Sequence, residues 1–122
     1  MTLRRVVVTG LGALTPIGNN VESFWNGLVS GESGAGPITH FDASKFKTQF
    51  ACELKGYDAL NHFDRKESRK LDKFAQYGLV CSEEAIKDSK LDVDDVDKTR
   101  VGVIWGSGIG GLETFQNEAT AF

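Results

Sequence analysis

Val101-Gly102-Val103-Ile104-Trp105, followed by Gly106-Ser107-Gly108-Ile109-Gly110-Gly111 and Leu112, is the stretch on which the fold turns. Its apolar, β-branched run predicts a strand buried on both faces of a sheet. The glycines predict a tight turn, and a helix is expected from near Leu112, still running at Ala121-Phe122 with no Gly, Asn or Pro to close it. Working outward, Arg4-Arg5-Val6-Val7-Val8-Thr9 reads as a second buried strand, ended by Gly10-Leu11-Gly12. Pro16-Ile17-Gly18 is turn chemistry. Asn19-Asn20 offers caps for a short helix that carries Val21, Phe24, Trp25 and Leu28 and stops at Gly31. Gly31 to Gly56 is loop-like, with one possible short strand at Phe50-Ala51-Cys52-Glu53-Leu54. A long helix is predicted from about Ser68 to Ser89, because Leu71, Phe74, Ala75, Gly78, Cys81, Ala85 and Ile86 share one stripe. The acidic run Asp92-Val93-Asp94-Asp95-Val96-Asp97 then reads as a solvated turn or short helix leading into Val101.

Alternating strands and helices predict an α/β chain, but two strands make a poor sheet, and a parallel sheet needs cover on both faces. The 122 residues are therefore expected to be the front part of a larger fold. A chain that is 40% hydrophobic and 25% charged is not a disordered tail or a collagen-like fibre. No run approaches the roughly 20 apolar residues of a membrane helix, and no secretory signal is read at the N-terminus. Two cysteines are too few for a disulfide scaffold and lack metal-ligand spacing, which favours a reducing cytoplasmic setting.

Three patterns bear on chemistry. Gly106 to Gly111 satisfies G-x-G-x-x-G between a strand and a helix, but the acidic residue about 20 positions on that would hold a ribose falls beyond Phe122. No Lys-Ser/Thr pair follows, so it is no phosphate-binding P-loop, and a tight strand-to-helix turn is the simpler reading. Cys52, Cys81, His40 and His62 each stand alone, and Cys81, mid-helix among Leu79, Val80 and Ala85, reads as a small buried hydrophobe. Against this background Arg65, Lys66, Arg69, Lys70 and Lys73 stand out. The window 65–73 carries a net +3 in a chain of net −3, and Lys66, Arg69, Lys70 and Lys73 would share one helical face. A basic spot on an acidic protein suits an acidic partner. The surrounding acidity and the lack of interleaved exposed aromatics disfavour nucleic acid. The plain alternative is a solvated helix start with Glu67 and Asp72 as intrahelical partners.

Arg4-Arg5-Val-Val-Val-Thr-Gly-Leu-Gly-Ala-Leu-Thr-Pro-Ile-Gly18, the helix with Phe24-Trp25, His40-Phe41-Asp42, the run Arg65 to Asp72 and Gly106 to Gly111, in this order, resemble the start of the beta-ketoacyl-acyl carrier protein synthases of type II, condensing enzymes of bacterial-type fatty-acid elongation. The resemblance implies a thiolase-like, five-layered α/β/α/β/α fold, with residues 1–122 as the first portion of its N-terminal domain. It implies a homodimer that works without a cofactor, taking acyl and malonyl thioesters and docking acyl carrier protein, a small acidic helical protein. It places carrier docking at Lys66, Arg69 and Lys70, with Arg65 adjacent, and makes Ile109 a lining residue of the acyl pocket near the dimer contact. The family's nucleophilic cysteine and two histidines would lie beyond residue 122, so no catalytic residue is expected here. Trp105 is bulkier than the resemblance leads one to expect, and Cys81 is particular to this chain. A dinucleotide-binding fragment and a non-enzymatic interaction module stay open as alternatives.

Overall fold

A computed structural model describes residues 3–91 and 94–121. The chain divides into two compact units, Ala13–Asp58 and the combination of Met1–Gly12 with Ala59–Phe122.

In Ala13–Asp58, Thr15 and Gly18 exchange backbone hydrogen bonds of 2.8 and 3.2 Å around Pro16-Ile17, the turn that a proline with its fixed φ favours. Helix α1 follows at Val21–Ser30. Asn20 Oδ1 accepts from Ser23 N–H at 2.8 Å while Ser23 Oγ accepts from Asn20 N–H at 3.2 Å, a reciprocal cap. At the other end Gly31 takes φ 71°, its N–H donates to Leu28 O, and Glu32 N–H donates to Gly27 O at 2.9 Å. That pair of bonds closes the helix and requires a left-handed residue that glycine adopts without strain. Both ends of α1 are thus written in its own flanking residues. Strands β1 (Gly36–Pro37) and β2 (Phe50–Ala51) pair antiparallel, Gly36 against Ala51 and Pro37 against Phe50. The expected strand at 50–54 is therefore only its first two residues. Glu53 instead folds its carboxylate onto Thr39, accepting from the hydroxyl at 2.7 Å and from the backbone N–H at 3.1 Å.

In the other unit the short helix α2 (Arg65–Ser68) precedes the spine, helix α3 (Lys73–Ser89). The single helix expected over 68–89 is thus shorter, and the residues before it form a separate turn. Asp64 and Asp72 are the reason: each sits extended at a helix entry, and Asp64 Oδ1 accepts from the N–H groups of Lys66 and Glu67 at 2.7 and 2.8 Å. The stripe read along α3 packs at Gly78, Cys81 and Ala85, but Phe74 and Ile86 are 40% and 48% exposed, and the most buried side chains, Gln76 and Val80, lie on the other side of the helix. A Cβ at Gly10 would strike the carbonyl oxygen of Ala85, and one at Gly12 that of Cys81. Leu11 N–H donates to Asp88 at 2.9 Å. Gly78 leaves room for the Trp105 indole, whose Nε1 would lie 2.8 Å from a Cβ there. The bulk of Trp105 is thus met by the missing side chain of Gly78.

Neither expected strand forms among the described residues. Arg4–Thr9 and Val101–Trp105 run without ladder partners, with Val6 91% and Ile104 98% exposed. A strand's N–H and C=O groups need neighbouring strands, and a sheet buried on both faces needs covering layers; no other described segment takes that place. Helix α4 (Leu112–Thr120) starts where expected but ends at Thr120, the Ala121 N–H reaching Asn117 O and Glu118 O at 3.1 and 3.3 Å. Of the acidic run, residues 92 and 93 lie outside the described residues, and Asp97 caps a 3-10 turn at Lys98–Arg100 through Thr99.

Candidate functional site: a basic segment and a glycine loop

The four cations expected on one helical face, Lys66, Arg69, Lys70 and Lys73, are distributed with Arg65 over two helices and the turn between them. Arg65 and Lys66 lie on α2, Arg69 and Lys70 on the turn after it, and Lys73 opens α3. The expected single helix does not carry them. Arg65, Lys66, Arg69 and Lys70 are all exposed, and among the described residues none of the four is held in an ion pair. Lys73 is different, since its Nζ lies 3.0 Å from Glu113 on α4. Glu67 and Asp72 do not neutralise the segment: Asp72 turns its carboxylate to the Thr114 hydroxyl, on α4.

The turn is anchored from below by a residue that sequence reading missed. Gln76 is 6% exposed, and its Nε2 donates to Ser68 O and Leu71 O, each at 2.9 Å. The two carbonyls bracket Arg69 and Lys70. A buried amide with both contacts made holds the backbone of a turn that is otherwise solvated. The available signal was a polar residue one turn before Val80, on the side of α3 that proves buried. Asp64, followed three residues later by Glu67, was the second missed signal, since an acceptor followed by Glu marks a helix entry.

The glycine loop sits over the start of α3. A Cβ at Gly110 would lie 2.7 Å from the Phe74 ring, and one at Gly111, whose φ is 68°, 2.8 Å from Asp72 Oδ2. These two glycines answer to packing: backbone passes over Phe74 and Asp72 where no side chain fits. The dinucleotide alternative loses its physical basis here. It requires a phosphate at the helix N-terminus, and at α4 a carboxylate, Asp72, is already there. Gly106 and Gly108 meet open space, and Ile109 is 77% exposed.

The titratable residues outside these segments form no catalytic constellation. Cys81 is half-buried, and burial, followed by the charge of Glu84, pushes its thiol up, away from a reactive thiolate. Cys52 is exposed, His40 lies 3.9 Å from Glu53, and His62 sits beside the Phe63 ring. Among the described residues no group of three His, Cys, Asp or Glu could hold a metal ion, and no helix is long and apolar enough to cross a membrane.

Comparison with known proteins completes the description. Residues 3–121 match the family model for the beta-ketoacyl synthase N-terminal domain. The 3-oxoacyl-[acyl-carrier-protein] synthase 2 of Vibrio cholerae serotype O1 is 48% identical over 116 residues, 95% of this chain and 28% of that protein. Among solved structures, the ishigamide ketosynthase/chain length factor superposes with a TM-score of 0.64 at 35% identity, over 76% of this chain and 23% of that one. A type II ketosynthase in complex with its acyl carrier protein and bound to a hexaketide superposes with a TM-score of 0.55 at 30% identity, over 75% and 23%. The chain thus spans somewhat over a quarter of the length of the curated relatives it matches. Its two extended apolar segments, its self-capped helix and its glycine loop are parts of a thiolase-like fold, and the chain belongs to the beta-ketoacyl synthase family through that family's N-terminal domain.

Proposed function

We propose that this chain is the carrier-docking and acyl-pocket segment of an elongating 3-oxoacyl-acyl carrier protein synthase. The observation that carries the reading is the basic segment: four exposed cations without ion-pair partners, on a turn pinned by a buried amide, in an otherwise acidic chain. Acyl carrier protein, an acidic partner, is drawn to such a patch by charge, and a rigid turn presents the cations in fixed register. The likeness to a ketosynthase solved with its carrier protein supports that partner.

In the reaction, an acyl group passes from carrier protein to a cysteine thiolate. Loss of carbon dioxide from malonyl-carrier protein leaves a carbanion that attacks this thioester carbonyl, forming a carbon–carbon bond and expelling the thiolate. The nucleophile is assigned to the part of the synthase outside these residues, because neither Cys52 nor Cys81 has the setting of an activated thiol. Ile109 lines the acyl pocket in this reading, its flanking glycines bringing backbone close enough for one branched side chain to set the depth of a narrow channel. The working protein is a cytoplasmic homodimer.

Reversing Lys66, Arg69 and Lys70 to Glu in the full-length synthase tests the docking. Each exposed pair contributes only about 0–1 kcal/mol, so the three together raise KM for acyl-carrier protein about tenfold at low salt. The effect shrinks as salt is added, because screening removes it. An unchanged KM at low salt removes the docking role.

A further inference from the structure

Residues 72–74 do something for which neither the basic segment nor the pocket loop was singled out: they join the two. Asp72 stands at the entry of α3 in N-cap geometry, φ −60° and ψ 154°, yet makes no side-chain hydrogen bond to its own helix. Such a residue ordinarily caps the helix it precedes. Its carboxylate accepts instead from the hydroxyl of Thr114, in the first turn of α4. The N-cap of that helix is Gly111, which has no side chain, and the Asp72 carboxylate stands beside it. A negative group there also meets the positive end of the helix. The next residue, Lys73, pairs with Glu113 at 3.0 Å, and the one after, Phe74, lies beneath Gly110. Three consecutive residues therefore hold 110–114, while Gly106 and Gly108 touch nothing nearby. Ile109 is carried by a loop fastened on its C-terminal side, and the fastening begins two residues after Lys70.

We propose that Asp72 is a positioning residue that, through Thr114, sets the start of α4 and with it the placement of Ile109, so that the carrier-docking segment and the acyl-selecting loop share one strut. This rests on the pocket reading of Ile109. The test uses the full-length synthase with Asp72→Ala, Asp72→Asn, Thr114→Val and the double variant Asp72→Ala/Thr114→Val, with Ile109→Phe as reference. The readout is the ratio of kcat/KM for long against short acyl-carrier thioesters. Asp72→Ala and Thr114→Val are each expected to shift that ratio about threefold or more, with the double variant shifting it no further than either alone, as for one shared interaction. Asp72→Asn keeps an acceptor for the Thr114 hydroxyl and is expected to hold the parent ratio. A merely structural role lowers both substrates equally and leaves the ratio untouched. Thr114 is exposed and valine matches its shape, so this variant decides the matter even where Asp72→Ala fails to fold. An unchanged ratio in Thr114→Val alongside a changed ratio in Ile109→Phe overturns the strut alone. An unchanged ratio in Ile109→Phe overturns the pocket reading beneath it.

Discussion

The basic segment at 64–76 and the glycine loop at 106–111 differ in how much of their surroundings this chain supplies. Around the first, the cap at Asp64 and the amide of Gln76 satisfy the backbone, and both come from within a dozen residues. Around the second, Phe74 and Asp72 approach Gly110 and Gly111, and Ile109 stands 77% exposed. A docking surface needs only to be presented to solvent, so a short stretch can complete it. A pocket needs walls, and one loop supplies one wall. On the proposed function, recognition of the carrier would be local to this segment, whereas acyl selection would be a property of the assembled synthase.

The sharpest break between the two regions is at Ile109. Ile109→Phe in the full-length synthase adds volume to a packed channel at a cost of about 1–3 kcal/mol. It is expected to lower kcat/KM for long acyl-carrier substrates about tenfold while sparing short ones, since 1.36 kcal/mol is a factor of ten in rate. Equal losses across chain lengths count against the pocket role. At the basic segment, Gln76→Leu removes the donor from two carbonyls and is expected to cost about 1–3 kcal/mol. A melting curve reports the loss, and KM for the carrier protein rises with it because Arg69 and Lys70 lose their register. A lower melting temperature with unaltered KM separates the anchoring of the turn from docking.

Helix α1 in the unit Ala13–Asp58 supplies the baseline, because its cap bonds close within its own flanking residues. Asn20→Ala removes the Oδ1 acceptor of the Ser23 N–H while leaving the backbone N–H of residue 20 on Ser23 Oγ, and is expected to cost about 1 kcal/mol. Faster amide exchange confined to the first turn of α1 would show it, with carrier KM and chain-length ratio unmoved; a shift in either would tie this helix to a site. The smallest effect is a pH dependence at Glu53. Hydrogen bonding from the Thr39 side chain, against some desolvation and with help from the Thr39 and His40 backbone and the His40 charge, holds its carboxyl below the ordinary value. A group depressed in the folded state adds stability that is present above its unfolded pKa and lost as pH falls through the folded one. Protection of the Thr39 amide is therefore expected to fall on acidification below the usual glutamate range, and Glu53→Gln is expected to flatten that dependence.

Much of the local structure was legible because its hydrogen bonds close within a few residues. Asn20 and Gly31 are such cases, and the structure uses both as read, whereas of the stripe from Leu71 to Ile86 the positions Gly78, Cys81 and Ala85 pack and Phe74 and Ile86 stay exposed. The charge excess at 65–73 was equally plain, and its cations are exposed. What was misread depended on distant partners. Val6 to Val8 and Val101 to Ile104 have strand chemistry without a ladder among the described residues. The helix expected from Ser68 begins instead at Lys73, because Asp72 is extended and its carboxylate is engaged on α4.

The sequence by itself determined where α1 starts and stops and where positive charge collects, since capping and charge are properties of neighbours along the chain. Only the tertiary structure decided that Gln76 pins the basic turn, that Lys73 is spent on Glu113 and that Asp72 serves a helix forty residues away from its own. The contacts of Lys73 and Asp72 join residues whose separation along the chain carries no signal, and they exist where α3 packs beneath the glycine loop, while that of Gln76 is local but needs the turn to fold back over the helix.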